Sequence, residues 1–249
     1  MRKHNDVRVL TANEFIHHFI NDGDFRPFGQ YEVHEEIFLE NIGEKQGESI
    51  YHKGKNIDEK CFFLGEGRFF RSFSFDSVIL NCFSFNKSTF EGSINFQNTR
   101  IRRLAWGSAK LNHCVYFGKD SFVGTFYGET ATFFKMNLGS GAFSRFYCQS
   151  ASFVGEFSFK KAIIIDFYCR KATFWSNVNF DCATIGGTFL CNEAIFKQSI
   201  YCNQAKFNIF DCNNAKFEGE LHCNEALFDG GFFAGNFSCD KESFAISLP

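Results

Sequence analysis

Long apolar runs are missing from this chain. Although 45% of its 249 residues are hydrophobic, no run approaches the roughly 20 apolar residues that a membrane-spanning helix needs. The start of the sequence is also followed by no apolar signal region, so we expect no export through a signal peptide. The sequence therefore predicts a cytoplasmic protein that does not contact a membrane, with reduced thiols on its 11 cysteines.

The usual motifs of catalysis and metal binding are absent as well. The chain has no CxxC pair and no usual zinc spacing, and its seven histidines form no HExxH motif. It has no P-loop, no GxGxxG and no GxSxG elbow. We therefore predict no cofactor, no metal and no catalytic residue, although folding alone decides whether a Ser-His-Asp set assembles.

Phenylalanine is the residue that the chain has in excess. There are 38 Phe against seven Tyr, two Trp and two Pro. Burying one Phe side chain stabilises a fold by roughly 1.5–3 kcal/mol, so this number implies a large apolar interior. Because the Phe residues are spread singly and in pairs along the whole chain, the interior is expected to be repetitive.

A repeat of alternating 10 and 11 residues accounts for them. It is clearest after Ala194, Ala205 and Ala215, where each unit reads small–x–Phe, a spacer, then apolar–x–Cys–Asn. Two positions after the small residue stands a column of sixteen apolar residues: Phe69, Ile79, Phe90, Ile101, Leu111, Phe122, Phe133, Phe143, Phe153, Ile164, Phe174, Ile185, Phe196, Phe207, Phe217 and Phe228. Each unit thus supplies two inward pairs with the period of two that is typical of β-strands.

Each inward pair joins a large side chain to a small one, which fills a narrow interior evenly. With two units to a coil, the sixteen units predict about eight coils. The domain prediction is an N-terminal cap or small accessory segment over 1–60, a β-solenoid over 61–244 and a C-terminal tail over 245–249.

Between Ala205 and Ala215 the unit consists of two five-residue steps, Ala-Lys-Phe-Asn-Ile and Phe-Asp-Cys-Asn-Asn. Here the chain resembles the pentapeptide-repeat family, and the likeness extends over about residues 67–244. The resemblance implies an all-β, right-handed, four-sided parallel β-helix with one pentapeptide on each side. The chain departs from the family by an eleventh residue in most units and by a bulky residue in the second step.

The N-terminal segment lacks the repeat and predicts a small mixed α/β cap. Thr11 and Glu14 form a capping-box pattern, and the apolar residues that follow, Phe15, Ile16, Phe19 and Ile20, fit one face of a short helix. The stretch 31–39 predicts a strand. A separate binding module is the alternative interpretation of this segment.

Most polar or reactive residues of the repeat have a structural interpretation. Cysteines in phase with the repeat are expected to be small core filler, whereas Cys82, Cys114 and Cys182 fall out of phase. Asn192, Asn203, Asn213 and Asn224 each follow a column cysteine, where a left-handed corner and a ladder of hydrogen bonds are expected. Asp120 alone puts an acid at a small inward position, so either a bulge turns it outward or it is buried and paired.

The charges outside the core supply the candidate site. Residues 68–171 hold 14 Lys and Arg against 6 Asp and Glu, while both flanking segments are acidic. A basic strip in this region would meet phosphates or an acidic protein surface. The candidate partner-binding residues are Arg100, Arg102, Arg103, Lys110, Lys160, Lys161, Arg170 and Lys171.

These features predict a non-catalytic interaction protein with a protein partner. The resemblance implies a narrower function, because some pentapeptide-repeat proteins imitate duplex DNA and inhibit type II topoisomerases such as gyrase. Such a mimic needs an acidic stripe, for which the candidates are Glu193, Asp211, Glu218, Glu220 and Glu225. Direct nucleic-acid binding, a parallel β-helix enzyme acting on a polyanion, and a homodimer are the alternatives.

Overall fold

The computed structural model describes residues 7–28, 30–40, 44–45, 48–49, 61–76, 78–233 and 238–239. One α-helix, α1, spans Ala12–Asn21, and a short 3-10 helix spans Arg26–Phe28. In chain order the strands are β1 (Arg8–Leu10), β2 (Gln30–Val33), β3 (Ile37–Glu40), β4 (Glu44–Lys45), β5 (Glu48–Ser49), β6 (Cys61–Phe63), β7 (Glu66–Phe69), β8 (Phe73–Asp76), β9 (Ile79–Ser84), β10 (Thr89–Phe90), β11 (Ile94–Phe96), β12 (Arg100–Ala105), β13 (Lys110–Phe117), β14 (Phe122–Tyr127), β15 (Thr132–Asn137), β16 (Ala142–Tyr147), β17 (Ser152–Phe153), β18 (Phe157–Ser158), β19 (Ile163–Tyr168), β20 (Thr173–Phe174), β21 (Val178–Asn179), β22 (Thr184–Leu190), β23 (Ile195–Phe196), β24 (Ile200–Tyr201), β25 (Lys206–Asp211), β26 (Lys216–Phe217), β27 (Leu221–His222), β28 (Leu227–Phe233) and β29 (Ser238–Cys239).

The strands form two large parallel sheets that enclose one core. Sheet B has nine strands, in the order β28-β25-β22-β19-β16-β14-β12-β9-β6, and sheet A has eighteen, most of which are shorter. Each sheet B strand pairs with the strand one coil later, so that Arg100 faces Phe122, Phe122 faces Ala142 and Ala142 faces Ile163. The coil is therefore 20 to 22 residues long, which confirms the all-β parallel β-helix with two units to a coil. It has about nine turns rather than eight, because β6 adds a strand before the first predicted unit.

Four inward pairs line each coil, as the repeat predicts. In the coil from 162 to 180, no inward residue is more than 1% exposed: Ala162, Ile164, Phe167, Cys169, Ala172, Phe174, Val178 and Phe180. Side chains in the same column stack from coil to coil. The ring of Phe174 lies 4.6 Å from Phe153 and 4.7 Å from Phe196, within 4° of parallel to each. The extra residue of the longer units lies in mid-strand bulges or bends, where the strand register shifts.

Tight turns join the two sheets at two edges. Edge 1 carries the turns from sheet A to sheet B, and edge 2 carries those from sheet B to sheet A. Twelve non-glycine residues have a positive φ, each directly before a small inward residue, as Lys161 stands before Ala162. Such a backbone costs roughly 1–3 kcal/mol, and it is held by bonds between coils, for example from the Lys161 N–H to the Asp181 carbonyl, 3.0 Å.

The prediction that the corner asparagines adopt this left-handed backbone is wrong by one position. The left-handed residues are Glu193, Gln204, Asn214 and Glu225, each one residue after its asparagine. Three of the asparagines, Asn192, Asn203 and Asn224, form the predicted hydrogen bonds to a neighbouring coil, and Asn213 donates to Asp211 of its own coil. Asp181 Oδ1 accepts from the backbone and side-chain nitrogens of Asn203, both at 3.0 Å.

Two predicted core positions are also wrong by one residue. Phe122 is 42% exposed, and its neighbours Ser121 and Val123 are buried in its place. In the same way Leu80 is buried in place of the half-exposed Ile79. The turn of edge 1 before Ser121 is one residue longer than the other turns of this edge, and Asp120 lies exposed in it. This placement avoids the cost of burying an unpaired carboxylate. The Ser121 hydroxyl is satisfied inside by the Phe96 carbonyl.

The N-terminal segment lies at the start of the stack. Helix α1 begins with the predicted capping box between Thr11 and Glu14, and its buried Phe15 and Phe19 pack on the first aromatic rings of the core. The predicted strand over 31–39 is two strands, β2 and β3. They pair in parallel with β7 and β8, so strands from before residue 60 continue the sheet of the solenoid. The tail 245–249 lies outside the described residues.

Six in-phase cysteines of the described core are buried free thiols: Cys148, Cys169, Cys191, Cys202, Cys212 and Cys223. Cys169 and Cys191 follow one another in one column, and burial raises the pKa of both thiols well above the ordinary value. Among the three out-of-phase residues, Cys182 is exposed and Cys82 and Cys114 are half-buried.

This burial predicts that stability falls in mild alkali. Above the ordinary thiol pKa of about 8.5, the unfolded chain releases protons that the folded chain retains, so each such thiol lowers the free energy of unfolding by about 1.4 kcal/mol per pH unit. Urea denaturation between pH 8 and 9.5 measures this slope. The variant Cys169→Ala/Cys191→Ala should have a shallower slope than the parent, and equal slopes would contradict the assignment.

Candidate binding face

The described residues show no arrangement suited to metal binding or to a catalytic triad. None of them form a group of three or more His, Cys, Asp or Glu that could hold a metal ion. Ser93 Oγ lies 2.7 Å from Nδ1 of His113, but within the described ranges no carboxylate forms an ion pair with that histidine. No helix in the described part is long and apolar enough to span a membrane.

All eight predicted basic residues are exposed, but the structure does not bring them together. Arg100, Arg102 and Arg103 lie in β12 of sheet B, and Lys110 lies in β13 of sheet A. Lys160 and Lys161 are in a turn of edge 1, and Arg170 and Lys171 are in a turn of edge 2. The basic residues therefore do not form the single strip that the charge distribution suggested.

The two later pairs also differ in what surrounds them. Arg170 forms two hydrogen bonds with Glu193 of the next coil, at 2.6 and 3.0 Å, and Lys171 lies 3.6 Å from the same carboxylate. The guanidinium group of Arg170 and the ammonium group of Lys171 hold the pKa of Glu193 below its ordinary value. In the described structure Lys160 and Lys161 form no ion pair.

Sheet B carries a more coherent group, which we call the arginine face. It is the outer surface of β9 to β28, and its cations are the three arginines of β12, Arg145 of β16 and Lys206 of β25. Arg103 faces Thr125, and Thr125 faces Arg145, so the two arginines stand in one row two coils apart. With strands about 4.8 Å apart, their backbones are roughly 10 Å from each other.

No carboxylate neutralises these four arginines within the described residues. The acid next in the row is Asp166 of β19, which is paired with Arg145 on the neighbouring strand β16. Its Oδ1 instead accepts a hydrogen bond from the Thr188 backbone N–H at 3.0 Å, in the bulge that Gly187 permits. Arg145 is therefore left without an ion-pair partner.

A tyrosine ladder runs beside the arginines. Tyr127, Tyr147 and Tyr168 occupy the same position on successive strands, with ring centroids 5.4 and 5.0 Å apart and planes within 12° of parallel. Burial, and then the nearby Asp166 and Tyr147, raise the pKa of Tyr168 above its ordinary value. The ladder gives the arginine face a rigid aromatic border.

Two shallow depressions lie on the arginine face, and Arg102 lines both. The first, of about 270 Å³, is lined mainly by apolar residues, with Ile79 and Phe122 among them. The second, of about 370 Å³, is polar, and its wall is formed by Arg102, Arg103, Gly124, Thr125, Ser144, Arg145, Ile165 and Asp166. Gly124 leaves the wall of the second depression without a side chain at this position. A Cβ there would come within 2.6 Å of the Arg102 carbonyl oxygen.

Large apolar side chains are exposed on the same face. Besides Phe122, they are Ile163, Ile165, Leu227 and Phe233, which are 57%, 53%, 49% and 49% exposed. In the row of paired residues, Ala142 separates Phe122 from Ile163, and Thr184 and Lys206 separate Ile163 from Leu227, so the exposed apolar side chains are distributed along the face. Single exposed apolar residues are ordinary on protein surfaces, and it is their presence on the same sheet as the arginines that favours an interaction site.

The five acids proposed for a DNA-like stripe do not form one. They lie on both edges and both sheets, and each has a polar partner in the protein. Glu218 is bound by Lys197 and Lys216 at 2.7 and 2.8 Å, for example, and Asp211 accepts a hydrogen bond from Asn213 at 2.7 Å. The described residues therefore show no continuous acidic stripe.

Sequence reasoning missed Arg145 and the tyrosines. Both had a signal in the coil length, since Arg145 follows Arg103 by two coils and the three tyrosines recur 20 and 21 residues apart. Comparison of the chain with protein-family models, with curated proteins and with solved structures finds no match.

The lack of intramolecular partners predicts that the arginines are dispensable for folding. The triple variant Arg102→Gln/Arg103→Gln/Arg145→Gln should change the free energy of unfolding by no more than about 0.5 kcal/mol. The core variant Phe174→Ala, measured alongside, should lose about 3–5 kcal/mol. A loss above about 2 kcal/mol in the triple variant would mean that these arginines stabilise the fold.

Proposed function

We propose that this chain is a non-catalytic protein-binding scaffold and that the arginine face is its interface. The observation that carries the proposal is a cluster of four arginines without ion pairs on the same flat sheet as five exposed large apolar side chains. A solenoid core fixes this surface rigidly, so that little conformational entropy is lost when a partner binds.

The composition of the face fits a protein interface. Protein interfaces are enriched in Arg and aromatic residues and depleted in Lys, Glu and Asp. The sheet B strands from β9 to β28 contain four Arg and three Tyr, with one Lys, no Glu and three Asp, of which Asp166 and Asp211 accept hydrogen bonds within the protein. The lysines lie mainly on the turns and on sheet A.

The size of the face fits as well. Eight strands at about 4.8 Å and six residues at about 3.3 Å give a surface of roughly 40 by 20 Å. A standard protein interface covers about 800 Å² on each partner, so one face of the solenoid offers enough area for a specific complex.

Direct nucleic-acid binding is the second candidate, and the same unpaired arginines favour it. The exposed Ile163, Ile165 and Leu227 weigh against it, because phosphates and sugars leave aliphatic side chains without a partner. Imitation of DNA has little support, since the acids form no stripe. A cytoplasmic location remains our expectation, because nine described cysteines are free.

Affinity capture with two matched variants tests the proposal. Arg102→Glu/Arg145→Glu reverses two charges on the arginine face, and Lys160→Glu/Lys161→Glu makes the same change of charge on edge 1. Bait of each form is incubated with a lysate of the native host, with and without nuclease. Proteins recovered with the parent bait are identified, purified and their binding measured with each form.

A purified partner should bind the edge 1 variant within about threefold of the parent. It should bind the arginine-face variant at least tenfold more weakly, since juxtaposed like charges cost several kcal/mol. Loss of all captured protein after nuclease would favour nucleic-acid binding instead. Equal binding by the two variants would remove the arginine face from the function, and self-association of the pure chain through this face would identify a homodimer.

A further inference from the structure

The two depressions on the arginine face are contiguous and chemically unlike, and this contrast restricts the partner. They meet at Arg102, which lines both. The apolar depression spans the coils of Ile79, Arg100 and Phe122, and the polar one continues along the solenoid to the coil of Asp166. We refer to the two neighbouring depressions, which lie on successive coils, together as the groove.

The apolar end has the features of a side-chain anchor. Ile79 is half-exposed and Phe122 is 42% exposed, and they stand in one outward row on either side of Arg100. An apolar side chain placed against them, beside the aliphatic stem of Arg100, would remove apolar surface from water, which is favourable by roughly 25 cal/mol per Å².

The polar end has the features of a carboxylate site. Three guanidinium groups, of Arg102, Arg103 and Arg145, surround the hydroxyls of Thr125 and Ser144. Arginine binds a carboxylate through two parallel N–H···O bonds, which are stronger than neutral hydrogen bonds. The lone acid in the wall, Asp166, is already engaged by the Thr188 N–H, so the site carries an excess of positive charge.

We infer that the groove takes an extended acidic segment of a protein partner, in which a bulky apolar residue lies beside two or more carboxylates. This inference rests on the proposed function and names the chemistry of the partner. The apolar residue would lie against Ile79 and Phe122 beside the stem of Arg100, which stands between them, and the carboxylates would bind Arg102, Arg103 and Arg145. The phosphates of a nucleic acid would pair with the arginines, but they would leave the exposed Ile165 in the wall of the polar depression without an apolar contact.

Selection from a random 12-residue peptide library displayed on phage tests the inference. The parent protein is the bait, and the Arg102→Glu/Arg145→Glu variant removes peptides that bind elsewhere. The recovered peptides should be enriched in Asp and Glu with a neighbouring Leu, Ile, Phe or Trp. A synthetic copy of one such peptide is then titrated by fluorescence anisotropy.

Four comparisons decide the outcome. Affinity should fall at least tenfold when the acids of the peptide become amides, and at least fivefold in the variant Phe122→Ser. It should change less than threefold in Phe134→Ser, a matched exposed phenylalanine of sheet A that is 48% exposed, and in Lys160→Glu/Lys161→Glu. Raising the salt concentration should weaken binding, because the contacts are ionic and exposed.

Three results would overturn the inference. The first is recovery of no peptide above background, and the second is recovery of peptides without an excess of acids. The third is a dT20 oligonucleotide that binds the groove more tightly than the peptide and displaces it. Peptides that need the arginine face but lack acids would overturn this inference and leave the proposed function standing. A purified partner that ignores the arginine face would overturn the proposed function itself.

Discussion

Every part of this structure depends on the stacking of one coil on the next. The parallel backbone hydrogen bonds join residue to residue one coil away, and the inward side chains stack in the same register, as Phe159 does on Phe180 with ring planes 2° apart. A coil that lost this register would lose its hydrogen bonds and its ring contacts together. The strained turns follow from the same constraint, because their left-handed residues are held by bonds to the neighbouring coil.

The same constraint explains which features the sequence predicted. Inward positions must repeat in size and polarity at every coil, so fourteen of the sixteen apolar column residues are buried as predicted. The two failures have different causes. Phe122 follows a turn that is one residue longer than the others, whereas Ile79 follows a unit with an extra residue between Phe69 and Phe73, which shifts the buried position to Leu80. The lengths of turns and units depend on local backbone choices that a column of apolar residues does not specify.

Outward residues need not repeat in size or polarity from coil to coil, so the sequence predicted fewer features of the outer surface. The arginines of β12 were found because they are adjacent in the chain. Arg145 completes their site from 42 residues away, and only the register between strands brings it into the same row. The later basic pairs Lys160–Lys161 and Arg170–Lys171 looked similar in sequence, yet they lie on opposite edges, and Glu193 neutralises only the second.

The core and the proposed binding face use different residues. Phenylalanine, alanine and cysteine build the core, while the arginines, the tyrosine ladder and the exposed aliphatic residues lie outside it. One surface of a rigid rod can then carry recognition without disturbing the stack that supports it.

Arginine footprinting of the complex tests the central claim most directly. The free protein and its complex with the captured partner are treated with a dicarbonyl reagent that modifies exposed guanidinium groups, and the modified positions are read by peptide mass spectrometry. The account predicts that Arg100, Arg102, Arg103 and Arg145 lose reactivity in the complex, while Arg71 of the opposite sheet and Arg170 of edge 2 keep theirs. Protection of Arg170 with continued reactivity of the four face arginines would contradict it.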